Sequence, residues 1–192
     1  MGQHIVLFHS ALGLRPAVSD FAARLRACGH IVQTPDLFDG EVFDNLEDGR
    51  RKRDAIGIQA LIGRAQAAVA SLPNELVFAG FSMGAALAEF LAATRSGARA
   101  ALLMHGVFDP VAFGIPVWPM VPVQIHYATG DPEVDVGAIR ALESAVRTGG
   151  ASIEVHRYSA GGHLFEDAGL EWQNAESAEL MSQRVLTFLA AT

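Results

Sequence analysis

The segment Glu75-Leu76-Val77-Phe78-Ala79-Gly80-Phe81-Ser82-Met83-Gly84-Ala85-Ala86-Leu87-Ala88 restricts the possible folds more than any other part of the chain. Its short apolar run reads as a buried strand, passes through Gly-Phe-Ser-Met-Gly, and enters an alanine- and leucine-rich stretch of good helix propensity. A strand, a sharp turn around Gly-x-Ser-x-Gly and a helix make a nucleophile elbow. The glycines follow from the geometry. The serine sits in strained backbone at the turn, and a side chain at 80 or 84 would collide with the packed strand and helix. The Ser82 hydroxyl is thereby lifted above the sheet to a helix N-terminus, where backbone N–H groups can meet a developing oxyanion.

The rest of the chain alternates strand and helix patterns. Ile5-Val6-Leu7-Phe8-His9 is a continuous apolar strand. Val18, Phe21, Ala22, Leu25 and Cys28 recur at helical spacing, with Gly29 ending that helix. Ile31 to Thr34 reads as a second strand, followed by a loop rich in acids and aromatics from Asp36 to Asp48. A helical pattern runs from about Arg51 to Ser71. After the elbow come a strand at Ala100–Met104, an irregular proline-rich segment, a strand at Val123–Tyr127 and a helix at Val136–Thr148. A strand at Ile153–Tyr158 and a helix at Ala175–Leu189 close the chain. Continuous apolar strands separated by helices predict an α/β fold: a compact, mostly parallel sheet of about six to seven strands covered by helices on both faces. With no repeat, linker or low-complexity stretch, residues 1–192 are expected to form one domain.

Composition narrows the classes of partner. Half the residues are hydrophobic and the net charge is −7, which disfavours a phosphate-binding surface. The densest basic run, Arg50-Arg51-Lys52-Arg53, is flanked by acids and reads as the solvated start of a helix. No nucleic acid partner is expected. No run reaches the ~18 apolar residues of a membrane span, and the N-terminus lacks the pattern of a signal peptide. One cysteine excludes an internal disulfide, so a cytoplasmic location is expected. Cys28 itself reads as a small buried residue at a helix end and a poor nucleophile.

A nucleophilic serine requires a base, and the base an orienting acid, both from loops on the elbow's side of the sheet. The strand ending at Tyr127 opens into Ala128-Thr129-Gly130-Asp131, and that ending at Tyr158 into Ser159-Ala160-Gly161-Gly162-His163. Asp131 is the favoured acid. Its bland alternative is a turn or capping residue, although Asp135 is better placed to cap the following helix. Asp109 is the leading substitute acid, with Glu133 behind it. Of seven histidines, His4, His30, His126 and His156 lie in or beside strands, while His9 and His105 end strands and are candidates to line a pocket. His163 alone stands in a glycine loop after the last strand. The oxyanion donors are expected at the N–H of Met83 and, from the loop after the first strand, of Ala11.

The order Ser82, Asp131, His163 is that of an α/β-hydrolase, and over nearly its whole length the sequence resembles the dienelactone hydrolase family. The resemblance is carried by Ala11-Leu12-Gly13, Thr34-Pro35-Asp36-Leu37-Phe38, the elbow, His126-Tyr127-Ala128-Thr129-Gly130-Asp131 and Gly162-His163-Leu164-Phe165. It implies the α/β-hydrolase fold and a hydrolytic triad. Three departures accompany it. The dienelactone hydrolases have a cysteine nucleophile where this chain has Ser82, and a glutamate in the first loop where it has Ser10. Shortly after the histidine they carry an arginine that grips a carboxylate, where this chain has Glu166-Asp167. Two acids there would repel an anionic lactone.

These readings lead to a serine hydrolase for a small soluble ester or lactone, needing no metal or cofactor. A thioesterase or peptidase with the same triad is the enzymatic alternative, and a non-catalytic binding protein the alternative of a different class. Phe38, Trp118 and Phe165, with Phe43 and Phe108, are the candidate apolar wall for substrate. Each is equally explained as packing beneath a loop.

Overall fold

Alternation between buried strand and amphipathic helix builds a parallel sheet in the computed structural model, which describes residues 2–192. The strands are β1 (His4–Phe8), β2 (Ile31–Gln33), β3 (Leu76–Phe81), β4 (Ala98–Met104), β5 (Val123–Ala128) and β6 (Ile153–Tyr158). They lie in the order β2-β1-β3-β4-β5-β6, and every neighbouring pair is parallel. The helices are α1 (Pro16–Ala27), α2 (Leu46–Ile56), α3 (Ile58–Val69), α4 (Met83–Thr94), α5 (Val136–Thr148) and α6 (Ala175–Ala191). This is the α/β-hydrolase arrangement, with six strands.

The two-residue period of each strand divides the core. Val6, Phe8, Phe78, Leu103 and Ile125 face one side, where Leu61 and Ala65 of α3, Leu87 and Leu91 of α4 and Leu142 of α5 cover them. Ile5, Leu7, Val77, Leu102 and Met104 face the other, under Phe21 and Leu25 of α1 and Met181 and Val185 of α6. The central strand β3 is buried at every position, which explains its unbroken apolar run.

Three local expectations change. The helix expected from about Arg51 to Ser71 is two helices, because Gly57 adopts φ +83° between them. The first starts earlier, at Leu46, since Asn45 caps it by accepting from the Asp48 N–H at 2.9 Å. The run Arg50–Arg53 therefore occupies the middle of α2 rather than its start. Each of its cations meets an acid: Arg50 with Glu133, Arg51 with Glu47 and Asp48, Lys52 with Glu41, Arg53 with Asp54. Cys28, expected to be buried, is exposed at the C-terminal end of α1. The helix ends before it, at Ala27.

Candidate active site

After β1 the chain crosses to β2 on one side and then returns to β3 on the other, so the strand order reverses between β1 and β3. A crevice opens at the carboxyl ends of strands where the winding reverses. Ser82 follows β3 there, and the loop beginning Ser10-Ala11 follows β1. Ser82 has φ +52° and ψ −113°, the strained geometry of an elbow. A Cβ on Gly80 would strike the backbone of Gly84 and Ala85; one on Gly84 would strike the carbonyls of Phe8 and His9. Only glycine allows β3, α4 and the end of β1 to approach this closely.

The ends of β5 and β6 bring the expected partners to the serine. His163 Nε2 lies 2.8 Å from Ser82 Oγ, and His163 Nδ1 lies 2.8 Å from Asp131 Oδ2. An ionised carboxylate only accepts, so Nδ1 carries the proton and Nε2 is free to receive one from the serine. Asp131 Oδ1 also accepts from the Glu133 N–H at 2.9 Å. Burial is the largest single influence on the Asp131 carboxyl and pushes it upward. The His163 hydrogen bond and charge, the Glu133 N–H and the nearby His105 together outweigh burial and hold it below the usual aspartate value. The rival acids are occupied elsewhere. Asp109 accepts from the Val111 N–H at 2.9 Å to cap a short 3₁₀ turn, Glu133 pairs with Arg50, and Asp135 caps α5.

The Met83 N–H is the first of α4 and has no intrahelical acceptor. Among the described residues neither it nor the Ala11 N–H donates to a protein group, so both are available to an oxyanion. The β1 loop is held in place from within. Ser10 Oγ accepts from the Leu12 N–H at 3.1 Å. His9 donates from Nδ1 to the Ser10 carbonyl at 2.7 Å, and its Nε2 accepts from the Leu37 N–H at 2.9 Å. Burial lowers the His9 pKa, in keeping with a neutral ring that staples two loops together.

The expected apolar wall is placed differently. Phe38, Trp118 and Phe165 are 0 %, 1 % and 0 % exposed and belong to the core beneath the loops. Phe38 packs edge-on against His9, Trp118 donates its indole N–H to Val121 O, and Phe165 packs against His105 and Tyr158. Phe38 and Phe165 lie next to residues of the site, whereas Trp118 sits against Gly149 at the amino-end edge of β5, away from it. The loop after β4 exposes Val111, Phe113, Val117 and Met120, with the Phe113 ring packed at a tilt against Phe108. That loop leaves the sheet beside Ser82, since a Cβ on Gly106 would come within 2.9 Å of Ser82 O.

The acids after His163 also behave unlike the expectation. Glu166 Oε2 lies 2.8 Å from His105 Nε2, and Asp167 forms a two-pronged pair with Arg15 at 2.5 and 3.3 Å. Arg15 Nη1 additionally donates to Asp44 and to the Phe43 carbonyl. Both acids are turned inward and paired, so they do not form the repelling patch that their sequence position suggests. His105, Arg15 and a buried Glu89, whose Oε2 accepts from the Phe108 N–H at 3.0 Å, escape a linear reading because their partners lie far along the chain. Among the described residues His105, Asp131 and His163 form a group whose donor atoms lie within 4.8 Å of one another, close enough to hold a metal ion. Two of the three are committed to each other.

A reversing parallel sheet, a strained serine between β3 and α4, and a histidine–aspartate pair after the last two strands define the α/β-hydrolase class. The fold is shared with a dienelactone hydrolase-like promiscuous phosphotriesterase from metagenomic libraries, at 21 % identity and TM-score 0.82, covering 98 % of this chain and 86 % of that one. It is shared also with Thermogutta terrifontis esterase 2 phosphorylated by paraoxon, at 18 % identity and TM-score 0.72, covering 99 % and 82 %. An alpha/beta hydrolase from a Medee basin deep-sea metagenome library superposes at TM-score 0.71 and 15 % identity, covering 100 % and 86 %. No curated protein matches the sequence. The pattern of the dienelactone hydrolase family matches residues 2–192, and the chain belongs to that family. It is a hydrolase acting on ester bonds.

Proposed function

We propose that this chain is a serine hydrolase, working as one domain over residues 1–192, that cleaves a small soluble ester or lactone through an acyl-enzyme on Ser82. The observation that carries the reading is the continuous pair of 2.8 Å contacts from Ser82 Oγ through His163 to Asp131. His163 Nε2 takes the hydroxyl proton as the serine oxygen bonds the carbonyl carbon. Asp131 fixes the imidazole tautomer and stabilises the imidazolium. The N–H groups of Met83 and Ala11 hold the oxyanion, where loss of one donor costs about 3 kcal/mol of transition-state stabilisation. His163 then returns the proton to the leaving alcohol, activates water, and frees the acid.

No described helix is long and apolar enough to cross a membrane, and the net charge of −7 favours a small-molecule partner over nucleic acid.

A fluorophosphonate probe tests the nucleophile directly. Labelling at Ser82 that disappears in His163→Ala supports the reading; a folded, unlabelled protein sinks it and leaves the non-catalytic binder. A panel of p-nitrophenyl esters, thioesters and lactones then ranks the leaving groups, and preferential turnover of thioesters would replace the ester assignment.

A further inference from the structure

His105 directly follows β4 and has φ +61°, a backbone region that residues other than glycine rarely adopt. Its side chain is entirely excluded from solvent, and Nε2 lies 2.8 Å from the Glu166 carboxylate, which is itself only 8 % exposed. As the carboxylate only accepts, Nε2 carries the proton. The other nitrogen, Nδ1, is buried without a hydrogen-bond partner among the described residues. The ring meets that of His163 edge-on at 5.7 Å and that of Phe165 at 4.5 Å. One of its nitrogens lies within 4.8 Å of donor atoms of both Asp131 and His163. A leucine or phenylalanine would fill this space without an unmet nitrogen and without drawing a glutamate under the surface. The chain tolerates a strained, imperfectly satisfied imidazole beside its triad.

We propose that His105 and Glu166 form a second imidazole–carboxylate couple, a positioning unit that seats the His163 ring and places a buried negative charge where it favours the imidazolium formed during acyl transfer. The inference rests on the serine chemistry proposed above. In the resting site Asp131 bonds His163 directly, and Glu166 stands behind the His105 ring that meets it. When Ser82 gives its proton to Nε2 and its oxygen bonds the carbonyl carbon, the carbonyl electron pair moves onto the oxyanion and His163 becomes cationic. That cation stands against Asp131 directly and against Glu166 through His105. Proton transfer thus relieves an excess of buried negative charge.

The other titratable groups around His105 do not offset this. His126, from the adjacent strand β5, is driven well down by burial and stays neutral. Tyr158, behind Phe165 on β6, is pushed upward by burial and keeps its proton. On the loops after β5 and β6 the facing groups are Asp131, His163 and Glu166 themselves.

The test is the pH profile of kcat/KM on p-nitrophenyl acetate for the wild type, Glu166→Gln, His105→Gln and Glu166→Asp, with melting curves to establish folding. Glu166→Gln keeps an acceptor for His105 and removes only the charge. Its acidic limb is expected to move to lower pH by about half a unit or more, with kcat falling about tenfold and KM changing less than about twofold. Glu166→Asp restores the charge and returns the limb toward its wild-type position, which a purely structural role would not require. His105→Gln keeps an amide donor for Glu166 and supplies the second variant should Glu166→Gln fail to melt cooperatively; the same displacement is expected. A limb unmoved in a folded variant overturns the inference while the wild type still labels and turns over ester. A wild type that does neither overturns the serine-hydrolase reading as well.

Discussion

At the scale of single residues, the site separates side chains that a linear reading can reach from those it cannot. Ser82, Asp131 and His163 were legible because each follows a recognisable strand and the elbow fixes which ends of the strands matter. Ser82→Ala is expected to remove measurable turnover while shifting the melting temperature by only a few degrees, since the methyl occupies the same strained position. Asp131→Asn is expected to lower kcat by roughly three orders of magnitude, because an amide no longer enforces the imidazole tautomer. Steady-state kinetics beside Asp109→Asn decide the assignment: if the Asp109 variant is the crippled one, the acid has been misplaced. His105 is singled out as a possible pocket residue, but its pairing with Glu166 is not legible. They lie 61 positions apart, neither belongs to a periodic pattern, and a histidine ending a strand has several ordinary explanations. The same holds for Phe38, Trp118 and Phe165. Aromatic residues in loops signal burial, and sequence alone does not say whether they face a cavity or the core.

At the scale of elements, the pattern of apolar runs specified β1 through β6, α5 and most of α6 closely, since each strand is either fully enclosed or backed by one helix. The break between α2 and α3 is not legible because α2 is polar and buries only Gly49, so no apolar spacing marks its end, and the positive φ of Gly57 alone separates it from α3. The elbow is where an element tolerates least. Gly84→Val would force a side chain onto the carbonyls of Phe8 and His9, backbone atoms with no freedom to withdraw. Urea unfolding is expected to show a loss of about 3 kcal/mol, or no folded protein. A variant as stable as the wild type would mean that α4 and β1 lie further apart than described. Beneath the neighbouring loop, Arg15 ties the segment after β1 to the segment after β6 through Asp167. Arg15→Ala would leave Asp167 charged and unpaired in a buried position. A destabilisation of about 3 kcal/mol is expected, and equal stability in chemical denaturation would count against that bond.

At the scale of the whole molecule, buried ionisable groups shape the dependence of stability on pH. His126 is fully enclosed, with Nε2 bonded to Gln124 Oε1 and Nδ1 to the Tyr158 hydroxyl, and burial drives its pKa well below 6.5. The unfolded chain takes up this proton near 6.5 and the folded chain does not. The stability contributed by His126, and by His9 in the same way, is therefore present above that value and lost as pH falls below it. Glu89 runs the other way. Burial raises its carboxyl well above 4.5, against the Phe108 N–H and with some help from Asp109. Its contribution is complete below 4.5 and erodes as pH rises toward the folded value. Denaturation across pH 4 to 9 is expected to show Glu89→Gln matching the wild type at the acid end and gaining on it as pH rises. A constant difference between the two would refute the burial effect.

The groups proposed to act come from the ends of β1, β3, β5 and β6, so no short stretch of the chain contains them all. Positions 11 and 163 bracket most of the sequence, and the sheet must close across that entire interval before a substrate meets a competent serine. Turnover therefore serves as a gauge of finished assembly: in a refolding experiment, helical signal should recover before hydrolysis does, with the delay set by docking of the last strand.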